Sequence, residues 1–161
     1  MQILTHLDKL LPKSTYITFV PFHPAHVGIM DIDKSQLTSR SKGVPIEAML
    51  ENQAKMGHAI TALLYGSPVA CFGAVDIWDG VAEMWMLIEE RGRKLPILMT
   101  KAAIAYRDYI VIARNLHRLQ ITVKCSDTRA FGWAKMLGFE QEAIMKRYDS
   151  EANDFYLMAR I

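Results

Sequence analysis

Side chains able to do chemistry are thinly spread along this 161-residue chain. The run "HPAH" sets His23 and His26 three apart. Two imidazoles at that spacing can share a metal, but no second ligand pair stands near them, and a turn with its cap accounts for the pattern as well. Ser14, Ser35 and Ser67 lack a G-x-S-x-G elbow, so nothing supports a nucleophilic serine. Cys71 and Cys125 lie in apolar, strand-like runs. They are neither paired as in a metal knuckle nor numerous enough for a disulfide scaffold, and they read as buried free thiols of a reducing compartment. Arg91 to Lys94, "RGRK", is the one dense basic group, and by itself it is a solvated loop. Two carboxylates, Asp76 and Glu83, interrupt apolar runs. Glu83 is flanked by Met84, Trp85 and Met86, which would raise its pKa by desolvation; a solvent-facing strand glutamate beside a hairpin accounts for the pattern as well.

Such groups act only if the backbone gathers them. Alternation of apolar and polar residues predicts a strand over 15–22, and "HPAHVGIMDI" follows as a short helix or turn. The polar stretch 33–45 reads as a loop. Pro45 then opens a helix that Gly57 closes. Two tight-turn signals, "YGSP" and "WDG", divide residues 58–88 into three antiparallel strands, "HAITALLY", "PVACFGAVDIW" and "VAEMWMLI". After the loop "EERGRK", a long helix over 95–115 places Leu95, Leu98, Met99, Ala102, Ala105, Tyr106, Tyr109 and Ile112 on one apolar face. "HRLQITVKC" is a strand, and "SDTRAFGWAKMLG" is a helix capped by Ser126 or Asp127. The runs "EAIMKRYDS" and "NDFYLMARI" form a closing hairpin. Gly138 stops the last helix by taking the left-handed conformation, and Phe139 folds back on its final turn. The whole reads as one α+β domain over 1–161, with a mixed, mostly antiparallel sheet of about seven strands flanked by helices. One right-handed crossover joins two parallel neighbours, "EMWMLI" and "HRLQITVKC".

This order, together with "A-x-x-x-A-x-x-L-G-F" carried by Ala130, Ala134, Leu137, Gly138 and Phe139, resembles the GNAT superfamily of N-acyltransferases over nearly the whole chain. A narrower likeness, in "LYGSPVACFGAVDIW", "AYRDY" and the last 25 residues, is to GNAT-like internal virion proteins of short-tailed bacteriophages. The resemblance implies acetyl-coenzyme A as cofactor and an amine as acceptor. The strand before the crossover would splay from its neighbour, and the backbone of Met86, Leu87 and Ile88 would pair with the pantetheine arm. Arg91, Gly92, Arg93, Lys94 and Leu95 would hold the pyrophosphate at a helix N-terminus, where free N–H groups and the helix dipole favour an anion. The loop departs from the family's R-G-x-G-x-G/A: Lys94 and Pro96 replace the later glycines, and direct charge contacts would have to offset the loss.

The resemblance also makes Glu83 the general base, drawing a proton from the amine through water, with Asp76 a weaker candidate. A tyrosine that protonates the departing thiolate in many members is here Ala134; Tyr106 or Tyr148 substitutes only if the fold brings it to the thioester. The acceptor would be bound by 23–45 and the final hairpin. Two readings compete: an acetyl-coenzyme A dependent N-acyltransferase, and a virion-associated or assembly protein that keeps the scaffold without turnover and engages phage or host proteins.

Nineteen basic and seventeen acidic residues leave a net charge of +2, with no run of five or six like charges, so nucleic acid is not an expected partner. "MQILTHLDKLLPKS" is amphipathic but broken by charges and without a cleavage site, and no run reaches membrane-spanning length. The expected location is cytoplasmic, meaning the host cytoplasm or a virion if the chain is phage-encoded. The ten methionines are spread along core faces as gap-fillers.

Overall fold

A computed structural model describes residues 2–10, 16–33, 36 and 44–161, without the side chains of Leu10, Met56 and Gly57. Of the stretch expected as a loop, only residues 33, 36, 44 and 45 lie among these; Ser14 and Ser35 lie outside them. The elements are α1 Gln2–Leu10, β1 Ile17–Pro21, α2 Ala25–Ile29, α3 Ile46–Met56, β2 Gly57–Leu64, β3 Ser67–Trp78 and β4 Val81–Ile88. They continue with α4 Glu90–Arg93, α5 Pro96–Ala113, β5 Arg118–Lys124, α6 Thr128–Met136, β6 Glu140–Met145 and β7 Phe155–Arg160.

The seven strands form one sheet in the order β1-β2-β3-β4-β5-β7-β6. All neighbours are antiparallel except β4 and β5, which are parallel and adjacent as the crossover requires. Tyr65 and Gly66 join β2 to β3 with φ of 49° and 79°, the paired positive angles that match the twist of a two-residue hairpin.

Helices cover both faces. On one, α1, α5 and α6 pack against Phe72, Met84, Leu119, Phe139 and Met158; on the other, α2 and α3 enclose Val27, Met30, Leu50, Cys71 and Leu87. The alanines Ala102, Ala103 and Ala105 let α5 lie close to the sheet. Tyr106 is fully buried beside them, its hydroxyl donating to the His58 carbonyl at 2.6 Å.

Four expectations are corrected. The N-terminal stretch, read only as amphipathic, forms α1, held down by the buried Ile3 and Leu7 at about 1.5–3 kcal/mol each. "EERGRK" is not an open loop but contains the single turn α4. Ile112 is 81 % exposed, and Ile110 takes the buried position, because the apolar stripe drifts around the helix in its last turns. Cys125 is half-buried where Cys71 is enclosed; both are free.

The end of α6 closes as the sequence suggests. Asp127 caps its start by accepting from the Ala130 N–H at 2.8 Å. At its end Gly138, at φ 79°, donates to the Lys135 carbonyl and Phe139 to that of Ala134, the double bond of a Schellman motif. The buried Arg107 adds a donor to the Leu137 carbonyl, a cation where the helix dipole favours one. None of the described helices is long and apolar enough to cross a membrane.

Candidate active site

Pairing between β4 and β5 is short. Val81, Ala82 and Glu83 face Arg118, Leu119 and Gln120, and beyond Glu83 the strands part. On its other side β4 stays paired with β3 to Ile88. Successive residues of a strand turn their N–H and C=O groups to opposite sides. The Ile88 groups point into the gap, where they meet the Gln36 side chain; by alternation Met84 and Met86 point there too, while Leu87 turns to Cys71 on β3. The gap opens into a cleft of about 540 Å³, walled by Met86 and Ile88, by Pro96 and Met99 of α5, by Thr122 to Lys124 of β5, and by Ala130 and Trp133 of α6.

The connection from β4 to α5 is more closed than an amide-presenting loop. Arg93 N–H donates to the Glu89 carbonyl, Lys94 to that of Glu90 and Leu95 to that of Gly92, at 3.0–3.1 Å. At α5, Pro96 brings no N–H. The first amide with a helical acceptor is Met99, on the Leu95 carbonyl at 2.9 Å, so Ile97 and Leu98 present theirs beyond the helix end. Gly92 is buried for a packing reason: a Cβ there would stand 2.8 Å from the Val69 carbonyl oxygen and 2.9 Å from Ile88 Cγ1.

Arg91 faces away from the cleft. Its guanidinium pairs with the buried Glu89 carboxylate and reaches Ser67 Oγ at 3.3 Å, while the second Glu89 oxygen accepts from the Asp31 N–H at 3.1 Å. Lys94 is exposed at the end of α4, and Leu95 is half-buried against the core. Of the predicted basic group only Arg93 lines the cleft and its polar mouth, where Lys124 and Arg129 join it opposite Asp31, Glu90 and Asp127. Lys124 and Arg129 escaped the sequence reading because they stand apart from any charge run. Their signal was position: the last residue of the strand after the crossover, and the second residue of the helix that follows.

Glu83 sits at the point where the strands part, half-buried. Gln120 Nε2 and the Thr122 hydroxyl reach its carboxylate at 3.4 and 3.3 Å. Both donors come from β5, so the parallel pair itself orients the group. Asp76 is instead in an ion pair with Arg114. Ala134 points into the core, 2 % exposed, whereas Ala130 and Trp133 face the cleft; the Trp133 indole N–H donates to Thr100 Oγ1 at 2.8 Å. Neither substitute tyrosine lines the cleft. Tyr106 is enclosed in the core, where burial pushes its phenol well above the usual range. Tyr148 packs on Phe155, a residue of the cleft wall, with ring centroids 5.3 Å apart.

The remaining candidates take structural roles. His23 Nδ1 accepts from the Ala25 N–H at 3.1 Å, and His26 Nδ1 accepts from the His23 N–H at 3.2 Å and stands 2.9 Å from Thr61 Oγ1. No group of three or more metal-binding side chains occurs among the described residues. Burial pushes the Cys71 thiol up to about 11, against a hydrogen bond with Thr61 that lowers it, so it is not a thiolate nucleophile.

No family model matches the sequence, and no curated protein matches it. Solved structures match its fold over nearly their whole length. Ard1 from Thermoplasma volcanium superposes with a TM-score of 0.69 at 19% identity, covering 91% of this chain and 97% of its own. RimL, the ribosomal L7/L12 alpha-N-protein acetyltransferase solved in complex with coenzyme A, gives 0.69 at 16% over 93% and 96%. A GNAT-family acetyltransferase from Bacillus anthracis gives 0.68 at 14% over 92% and 96%. The fold is therefore the GNAT fold. The narrower virion-protein likeness has no counterpart among these three.

Proposed function

We propose that the chain, acting as one domain, is an N-acyltransferase that moves an acetyl group from acetyl-coenzyme A to an amine by direct attack. The observation that carries this reading is the parting of β4 from β5 directly after Glu83. It puts a strand edge and a helix N-terminus at one cleft, with the Glu83 carboxylate at the foot of the gap but outside the cleft wall. An extended amide-bearing arm fits that edge, pairing with the Met84, Met86 and Ile88 backbone as a further strand would. The Ile97 and Leu98 amides suit the phosphates, as do Arg93, Lys124 and Arg129.

Acetyl-coenzyme A supplies the activated thioester. Glu83, oriented by Gln120 and Thr122, takes the proton of the incoming amine, directly or through one water, so that a neutral nitrogen attacks. A Met84 or Met86 N–H directed at the carbonyl oxygen steadies the charge that develops there. Calorimetric titration with acetyl-coenzyme A tests the site, and consumption of acetyl-coenzyme A with a panel of amines, the protein's own lysines included, tests the reaction.

A second reading, a scaffold without turnover, is favoured by one observation: the cleft-facing positions of α6 are Arg129, Ala130 and Trp133, none of which donates a proton as a general acid does. The virion context for such a scaffold, with phage or host proteins as partners, rests on sequence likeness alone. Absence of both coenzyme A binding and turnover on every amine would decide for the scaffold; tight binding without turnover would call for a different acceptor amine.

A further inference from the structure

The cleft is not an empty edge. Gln36 Nε2 donates to the Ile88 carbonyl at 2.9 Å, and the Ile88 N–H donates to Gln36 Oε1 at 3.1 Å. This closed pair of bonds is what a peptide of a neighbouring strand would make, and a carboxamide is the side-chain group that offers donor and acceptor together as a peptide does. Gln36 lies 52 residues away in sequence, and its own N–H donates to the Asp33 carbonyl at 2.9 Å, a turn that aims the side chain at β4. Because the strand has parted from β5, Ile88 would otherwise present two unpaired backbone groups to the cleft, which is costly where water is restricted.

We infer that Gln36 is a built-in competitor for the β4 edge: its carboxamide occupies the place where an amide of an extended acyl-donor arm has to pair, and donor binding requires it to leave. The inference rests on the acyltransferase reading above. It adds that affinity for the donor is held down by the protein's own side chain.

Gln36→Ala and the wild-type chain should be titrated with coenzyme A, and exchange of the Ile88 amide hydrogen followed with and without it. The variant should bind roughly tenfold more tightly, the factor for no longer giving up two neutral hydrogen bonds of ordinary net strength. The Ile88 amide should exchange slowly in the free wild type, quickly in the free variant, and slowly in both once coenzyme A is bound. Gln36→Glu, which keeps the acceptor but loses the donor, should fall between the two. Equal or weaker binding by Gln36→Ala, or unchanged Ile88 exchange in it, overturns the competitor role while leaving the acyltransferase reading intact. Failure of both proteins to bind coenzyme A overturns the two together.

Discussion

Glu83 and Gln120 are the last facing residues of the parallel pair β4 and β5, and the Gln120 amide turns back to the Glu83 carboxylate at 3.4 Å. The same position thus ends the pairing and fixes the carboxylate. Above it the strands separate and the gap begins; the Glu83 side chain lies on the face of β4 that carries Trp85 and Leu87, opposite the face of Met86 and Ile88 that walls the cleft. The geometry needs no loop to place Glu83; two strands and their register do so.

Glu83→Gln is expected to lower turnover by about 10²- to 10⁴-fold, the usual contribution of a positioned base, while leaving coenzyme A affinity and thermal stability near wild type. Gln has the same size, keeps one oxygen to accept from the Gln120 amide and can donate its NH2 to the Thr122 hydroxyl, so a large fold effect is not expected. Steady-state kinetics with calorimetry on the same preparation check this, and undiminished kcat would remove Glu83 from the chemistry.

The proposed phosphate site divides the basic residues into two groups. Replacing Arg93, Lys124 and Arg129 by alanine should weaken coenzyme A binding by about 1.5–3 kcal/mol for each charged hydrogen bond lost, with a steep dependence on salt. Arg91→Ala should leave affinity unchanged and lower Tm, because it strands the buried Glu89 carboxylate. Titrations at two ionic strengths, paired with thermal melts, separate these outcomes; an affinity loss confined to Arg91→Ala would reverse the assignment.

The strand order was legible because period-two alternation and the turn residues Gly66 and Gly80 mark the meander, and a parallel crossover has few solutions. Glu83 stands out in "VAEMWMLI" as a lone carboxylate, but the run alone does not say that it ends the pairing of β4 with β5. The pairing of Arg91 with Glu89 was not legible: both lie in "EERGRK", and nothing in that run says which charge turns inward. Gly92 suggested a loop that approaches phosphate, yet its backbone is needed against Val69. Gln36 could not be foreseen from a polar stretch without periodicity, since its role depends on a strand edge 52 residues away. Ala134 was placed by motif spacing, but the face it occupies is set by how α6 sits on Leu137 and Phe139.

Acid should loosen the α2 side of the sheet in a defined window. His26 is held below its usual 6.5 by burial first and by the neighbouring His23 second, and its Nδ1 accepts the His23 N–H. The unfolded chain therefore takes up a proton near 6.5 while the folded chain resists until lower pH. The stability this site contributes is complete above 6.5 and is lost as pH falls from there through the folded value. Denaturation midpoints from pH 7.5 to 5 should drop for the wild type and drop less for His26→Gln. Parallel curves would show that His26 is not the titrating group.

The remaining question is whether α6 can be given the proton donor it lacks. The position that motif spacing selects, Ala134, packs with Leu137 and Phe139 in the core, so Ala134→Tyr must push a phenol into filled space and should cost about 1–3 kcal/mol or more in stability with no gain in rate. Trp133 faces the cleft through the same turn of helix. Trp133→Tyr gives up the bond to Thr100, about 1 kcal/mol, and leaves a hydroxyl in the cleft. A thiolate is a good leaving group, so its acid is worth less than the base, and the expected gain in kcat is modest but positive for Trp133→Tyr alone. Thermal melts and acetyl-coenzyme A consumption on both variants check this. A rate increase in Ala134→Tyr at unchanged Tm would mean that the other face of α6 looks into the site.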